Sequence, residues 1–415
     1  VSLPHRGVIW DSEEVLVPTS FAERLRAVAP SATLAMSARA AELRAKGIDV
    51  VAFGVGEPDF EPPRFVLDAA KKAIDDALTS KYTAVTGIAP LKKAICAATT
   101  RARGWEPTPE MVTVSVGAKH ALFNVALALY QAGDEVIIPA PYWVSYPEQV
   151  RIVGATPVHV VTHEHDGWRM SPAQLEAALT PKTKAVVLCS PSNPTGSTYS
   201  PAEMSALLDV LRKHDCWLVV DEIYGELVYG GFEYASAAKL APDLRSRMII
   251  IDGVSKSYAM TGWRIGWSIA PREVAKALDV VQGQSTTNPS AVAQYAALAA
   301  LSGSQDEVVK MRAAFEKRRD VMVSGLRSLP GVKCRMPEGA FYAFADCRGL
   351  YGLKWGEKTL TTDEDVAFWM LDRAHVAAVP GGPFGAPGYV RFSYATSEER
   401  ILKGIESIRA AITAA

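Results

Sequence analysis

Paired cysteines are missing from this chain. Its five cysteines, Cys96, Cys189, Cys216, Cys334 and Cys347, show no CxxC spacing, so neither a zinc ribbon nor a dithiol redox motif can be built from them. An odd, unpatterned set fits a reducing compartment better than a disulfide framework, and the expected location is cytoplasmic. An excess of charge is missing too. Lys and Arg number 44 against 45 Asp and Glu, a net charge of −1. No overall field draws nucleic acid or an anionic membrane surface, and neither is expected as a partner. No uncharged apolar run reaches the roughly 18–20 residues of a membrane span. The opening stretch, VSLPHRGVIWDSEEVLVPTS, lacks a basic start followed by an apolar core, so it reads as an arm and not as a signal peptide. Asn193 and Asn288 stand at sequon spacing, but a proline follows each, which removes both as glycosylation acceptors. Internal repeats and low-complexity tracts are absent as well.

What is present is a long chain, 415 residues with 49% hydrophobic content, enough for two or three structural units around large cores. From Met111 to Ile269 strand-like runs (MVTVSV, EVIIP, TPVHVV, KAVVLCSP, CWLVVDE, RMIIIDG, RIGWSIA) alternate with helical segments at Gly117 to Gln131 and Pro201 to Lys213. Continuous apolar strands separated by helices predict an α/β fold, a mostly parallel sheet covered by helices, with ligands at the carboxyl ends of its strands. Past Pro271 the chain turns helical. It ends in an α+β pattern, with strands near Val332, Ala340 to Ala345, His375 to Val379 and Tyr389 to Ser393, which predicts a smaller α+β domain. The segment before residue 60, with a strand at Val50 to Phe53, lies outside the alternating block and is assigned to that domain. The expected division is an arm at 1–20, a small domain from 21–60 and 310–415, and a large domain at 61–309.

The stretch GVSKSYAMTGWRIGW, Gly253 to Trp267, concentrates chemistry. Lys256 follows a buried strand, where lost hydration favours a neutral, nucleophilic amine. Such an amine can form a Schiff base with an aldehyde. A lysine in such a loop is more often simply solvated; its neighbours decide. Ser255 and Arg264 add the hydroxyl and guanidinium that hold a phosphate, and an aldehyde carrying a phosphate is pyridoxal 5′-phosphate. SVGAKH places Gly117, Ala118 and Lys119 at a helix start, either an anion cradle or a plain strand–helix turn. Asp221 in VVDEIY ends a buried strand and needs a cationic partner; a protonated pyridine nitrogen is one. Tyr224 and, in CSPSNPTG, Asn193 reach the ring's phenolic oxygen, unless the latter is only a turn. Trp143 in PYWVSYPE covers the ring or packs in the core. His163-Glu164-His165 lacks further ligands at metal spacing and reads as a solvated loop, so no metal is expected. GGPFGAPG is a turn before the Arg391 strand.

From Gly253 to Gly266 the pattern of small residue, hydrophobic, Ser-Lys, then Ala-Met-x-Gly-x-Arg-Ile-Gly resembles the lysine signature of class I aminotransferases, pyridoxal-phosphate enzymes of fold type I. SPSNPTG, DEIY and VRFSYATS occur in the family's order, so the resemblance spans the chain from about residue 21. It implies that Lys256 is the Schiff-base lysine and Asp221 the pyridinium partner. It also makes Arg391 the clamp for the substrate α-carboxylate, assisted by Gly56, Trp143 and Asn193. It further implies a ping-pong reaction between amino acids and 2-oxo acids in a homodimer with shared active sites, Tyr82 being lent to the neighbour's phosphate. PSAT (Ser31, Thr33), Lys119 and QSTTNPS (Ser285) resemble the set by which one bacterial subgroup of aspartate aminotransferases reads the distal carboxylate. The expectation is L-aspartate with 2-oxoglutarate. Ala29 stands where some subgroup members, including ones that accept prephenate, carry a lysine. An alanine, aromatic, prephenate or kynurenine transaminase, or a C–S lyase, would share every cofactor residue. A regulator built on this fold would not need Lys256, Asp221 and Arg391 together.

Overall fold

The apolar runs of the alternating block become the strands of one seven-stranded sheet in the computed structural model, which describes residues 22–28 and 32–415. The expected arm and Ser31 lie outside the described residues, as does the side chain of Thr33. In spatial order the strands are Val112–Ser115, Gly266–Ile269, Met248–Gly253, Trp217–Asp221, Thr183–Cys189, Glu135–Ala140 and Thr156–Val161. Neighbours are parallel except at Gly266–Ile269, which runs against both Val112–Ser115 and Met248–Gly253. Parallel neighbours need a long crossover, whereas a reversed strand needs only a short link. That short link carries Ser255, Lys256 and Arg264.

Alternate strand residues feed two cores, as a period of two requires. Ile137, Val186 and Val220 pack with Leu91 and Ile95 of helix Ala89–Arg103. Val136, Ile138, Val187 and Val219 pack with Ala121 and Val125 of helix Ala118–Leu129. The continuous hydrophobicity of these strands therefore reflects burial on both faces. Helix starts follow local chemistry: Ser200 and Glu203 form a capping box before Pro201–Leu211, and Thr362 and Asp365 do so before Asp363–Ala374.

The carboxyl-terminal part builds a four-stranded antiparallel sheet in the order Val379–Pro380, Tyr389–Ser393, Tyr342–Asp346, Lys333–Cys334. Its core holds Phe315, Phe341, Trp369 and Phe392. Arg391 sits on the Tyr389–Ser393 strand, paired with Phe344. The amino-terminal segment joins this part: Val51 pairs with Val376, and the Phe53 carbonyl accepts from the Ser393 N–H at 2.7 Å.

Several boundaries differ from the sequence reading. The Val50 to Phe53 run makes a strand only at Val51–Ala52, since it has one short partner. The Arg264 to Ile269 run becomes a strand only at Gly266, because Arg264 takes a left-handed backbone (φ +57°). His375, also left-handed (φ +54°), caps the preceding helix and does not join the following strand. Two short helices, Ser145–Ile152 and Pro172–Ala178, have no counterpart in the reading; each is too short to show a helical period. Among the described residues no helix is long and apolar enough to cross a membrane. No group of three or more of them could hold a metal ion. His163 and His165 stack their rings at 5.2 Å beside a short turn.

Candidate active site

Strand ends of the large sheet and two segments of the smaller domain meet around a cavity of about 370 Å³. Lys256, Asp221, Asn193, Trp143, Arg391 and Gly56 all line it. The lysine enters from the link that reverses the sheet, and its Nζ donates to the Gly56 carbonyl at 2.6 Å. Burial lowers its pKa to about 8; Arg264 and Arg391 push the same way and Glu57 opposes them. In the ligand-free protein the rate of imine formation between Lys256 and a simple aldehyde, trapped by borohydride, should therefore climb about tenfold per pH unit. It should flatten near pH 8. An exposed lysine would keep climbing toward about 10.4, and that outcome would show that burial does not act on this amine.

Asp221 closes the strand Trp217–Asp221, in register with Cys189 and Ile251 on either side. One carboxyl oxygen accepts from the Tyr146 hydroxyl at 2.7 Å, the other from the Ile223 N–H at 3.1 Å. Burial raises its pKa to about 6, with those two bonds pulling downward. At neutral pH it is an anion with lone pairs left for a cation.

Two glycines shape an anion cradle. Gly117 has φ +83°, and a Cβ there would stand 2.6 Å from Arg264 Nη2. A Cβ on Gly266 would stand 2.2 Å from the Ala118 nitrogen. Only glycine lets the start of helix Ala118–Leu129 lie this close to the strand and to the guanidinium. First-turn N–H groups such as those of Ala118 and Lys119 have no acceptor within a helix. They point, with the positive end of its dipole, at whatever anion Arg264 and the buried Ser255 also meet.

Arg391 is 3% exposed. It donates through Nη1 to Asn193 Oδ1 at 2.8 Å and through Nη2 to the Gly54 carbonyl at 2.9 Å, while its Nε has no partner among the described residues. The guanidinium lies over the Tyr342 ring at 4.5 Å. None of the ion pairs among the described residues includes it, so a buried positive fork stands open to the cavity it lines. Tyr224 and Tyr342 share a hydroxyl–hydroxyl bond at 2.9 Å. Lys119 Nζ sits over the Trp143 ring at 4.9 Å, its pKa lowered by burial and by Arg264.

Two expected residues are not brought here. Tyr82 is 89% exposed, and Ser285 is exposed and outside the cavity lining. Two others, Tyr146 and Tyr342, belong to the site without having been read from the sequence. Tyr146 carried a faint signal, since it follows Trp143 by one helical turn and meets its ring edge-on at 5.3 Å. Tyr342 carried none; only the pairing of its strand with the Arg391 strand brings it in.

A family model for aminotransferase class I and II matches residues 48–408. The chain belongs to this aminotransferase family. It is 47% identical over 387 residues to an aspartate aminotransferase of Geobacillus stearothermophilus, covering 93% of this chain and 97% of the relative. It is 46% identical over 390 residues to the aspartate/prephenate aminotransferase of Cereibacter sphaeroides, covering 94% and 97%. Among solved structures, the aspartate aminotransferase of Rhizobium meliloti matches with a TM-score of 0.92 at 44% identity, covering 95% of this chain and 99% of that one. That of Thermus thermophilus, solved with maleate, matches at 0.89 and 41%, covering 95% and 100%. The architecture is fold type I of the pyridoxal-phosphate enzymes. The residues of this aminotransferase fit that cofactor on three counts: an amine lowered to about pKa 8, a buried carboxylate with free lone pairs, and a glycine-built cradle facing Arg264.

Proposed function

We propose that this aminotransferase moves the amino group of L-aspartate to 2-oxoglutarate, giving oxaloacetate and L-glutamate, in two half-reactions run in turn on one site. The observation that carries the reading is the pairing in one cavity of Lys256 with Arg391, a buried guanidinium without a carboxylate partner among the described residues. Pyridoxal phosphate, when bound, supplies an aldehyde for a lysine amine and a ring that takes up the electron pair left when a Cα–H bond breaks. Gly117, Ala118, Lys119, Ser255 and Arg264 would hold its phosphate, and Asp221 its ring nitrogen. Tyr224 and Asn193 would serve its phenolic oxygen, and Trp143 would cover its face.

The chain's own groups do the rest. Arg391 receives the substrate α-carboxylate in a two-pronged hydrogen bond, beside Gly56, Asn193 and Trp143. The Lys256 amine, in the neutral form that its lowered pKa makes accessible, takes the proton from the substrate α-carbon and returns it one position along. Lys119, with Ser31 and Thr33, would meet the distal carboxylate, in keeping with the maleate, a dicarboxylate, in the Thermus thermophilus structure.

Tyr82 and Ser285 take their places in this reading if two copies associate. Both are exposed and lie on segments tied together: buried Gln282 donates to the Val85 carbonyl at 2.6 Å, and buried Gln294 to Thr83 Oγ1 at 2.9 Å. A homodimer would carry each pair into the neighbouring cavity, Tyr82 toward the phosphate and Ser285 toward the distal carboxylate.

Half-reactions with aspartate and with alanine test the assignment. A hydrogen bond from a charged group such as Lys119 to the distal carboxylate contributes about 1.5–3 kcal/mol, so kcat/KM for aspartate should exceed that for alanine by at least about 10-fold. Equal values would remove the dicarboxylate assignment while leaving the transaminase.

A further inference from the structure

A buried ionic cluster beside the cavity has no part in the chemistry above. Arg103 ends helix Ala89–Arg103 and is 6% exposed. Its guanidinium holds three carboxylates at once, Glu222 through Nε at 3.1 Å, Glu226 through Nη1 at 2.8 Å and Asp252 through Nη2 at 3.1 Å. Two of these adjoin the functional residues along the chain. Glu222 follows Asp221 directly. Asp252 lies at the end of the strand whose continuation carries Ser255 and Lys256.

Each of the two is fixed from its other side. The remaining oxygen of Glu222 accepts from Ser236 Oγ at 2.7 Å, and its N–H donates to the Ile251 carbonyl at 2.8 Å. The remaining oxygen of Asp252 accepts from the Gly253 N–H at 2.7 Å. The fit is tight: a Cβ on Gly225 would stand 2.5 Å from Arg103 Nη2.

Val254, Tyr258 and Met260 of the lysine segment pack into the core on this side, but they do so beside open space. A cavity of about 250 Å³ is lined by Arg103, Asp252, Gly253, Ser257, Tyr258 and Trp267, where close-packed side chains would otherwise set the position. At the wall of that space the Arg103–Asp252 pair makes a direct tie, helped by the Tyr258 hydroxyl donating to Gln305 Oε1 at 2.6 Å. Gathering three carboxyl groups, one of them the fully buried Glu222, around a buried guanidinium is a poor way to gain stability, and burial pushes the Asp252 carboxyl up to about 7. A planar fork with fixed donor directions is a good way to set geometry.

We propose that Arg103 is a positioning residue for amino transfer: its fork ties the chain leaving Asp221 to the chain approaching Lys256 and so sets the spacing of carboxylate and amine. This rests on the roles given above to Asp221 and Lys256.

Asp252→Asn and Arg103→Lys test it in the holoenzyme reconstituted with pyridoxal phosphate. Asn keeps the shape of Asp252 and removes one charge; Lys keeps the charge of Arg103 and removes the fork. In both, the pH midpoint of the visible-band transition should move by about half a unit or more. kcat/KM for aspartate should fall about 10- to 100-fold, as for a sub-ångström to ångström displacement of reacting groups, with kcat falling more than KM rises. A lowered Tm with midpoint and kcat/KM unmoved would show a purely structural role and overturn the proposal. Should Arg103→Lys fail to fold, Asp252→Asn, which leaves the guanidinium and two carboxylates in place, decides alone. The wild-type protein measured alongside separates the two levels. No borohydride-reducible band on Lys256 removes the functional reading, whereas a normal band with unmoved variants removes only the role of Arg103.

Discussion

Lys256→Ala should lower kcat for amino transfer by at least about 10⁴-fold, the upper range for loss of a positioned acid–base group, since the same side chain also forms the covalent link. Its Nζ lies in a cavity that also holds Asp221 and Arg391, at hydrogen-bond distance from the Gly56 carbonyl. The other amine lining that cavity, Lys119, is engaged over the Trp143 ring at 4.9 Å. Burial is what prepares the lysine: a pKa of about 8 leaves an appreciable neutral fraction near neutral pH. Lys256→Arg should fail as badly as alanine, since a guanidinium keeps its proton throughout the working range. The measurement is oxaloacetate release from aspartate. With it, peptide mapping after borohydride reduction should find the cofactor on Lys256 in the wild-type protein and on no peptide in the variants. An alanine variant that transfers amino groups at the wild-type rate would sink the whole assignment.

Arg391→Lys should cost about 2–5 kcal/mol, roughly 30- to several-thousand-fold in kcat/KM, the range for truncating one member of a buried, hydrogen-bonded charge pair. The guanidinium has five N–H donors. One goes to Asn193 and one to Gly54, and Nε is unpartnered among the described residues. Those remaining form a planar face that a carboxylate can match with two parallel bonds. An ammonium group in its place offers a point charge and cannot satisfy Asn193, Gly54 and a carboxylate together. Every amino acid carries an α-carboxylate, so the loss should be the same for aspartate and for alanine, and their ratio should stay near the wild-type value. A ratio that collapses toward one would move Arg391 to the distal carboxylate. An unchanged kcat/KM for both would take it out of substrate binding.

The sheet, its helices and the chemistry of the site were legible because each depends on short-range pattern. The runs around Val219 and Ile250 are apolar because both faces are covered, and that burial is written directly as continuous hydrophobicity. Lys256, Ser255 and Arg264 share one segment, so their association needed no knowledge of the fold. Boundaries were less legible where a single backbone angle sets them. Arg264 adopts a left-handed conformation that nothing in its residue type announces, and His375 one that its type favours without fixing where.

Taken alone, the order of residues determined which groups are available: an amine, a carboxylate and a glycine at a helix start, each after an apolar run, and the guanidiniums of Arg264 and Arg391. The tertiary structure decided which of them meet. It brought Arg391, Gly56 and Tyr342 to the strand ends, put Tyr146 on Asp221, left Tyr82 and Ser285 facing outward, and set Arg103 among three carboxylates. The reason is one of range. Hydrophobic period and turn chemistry act between residues a few positions apart, whereas contacts such as Arg391 with Gly54, hundreds of positions apart in the chain, exist only once the amino-terminal segment has joined the Arg391 strand.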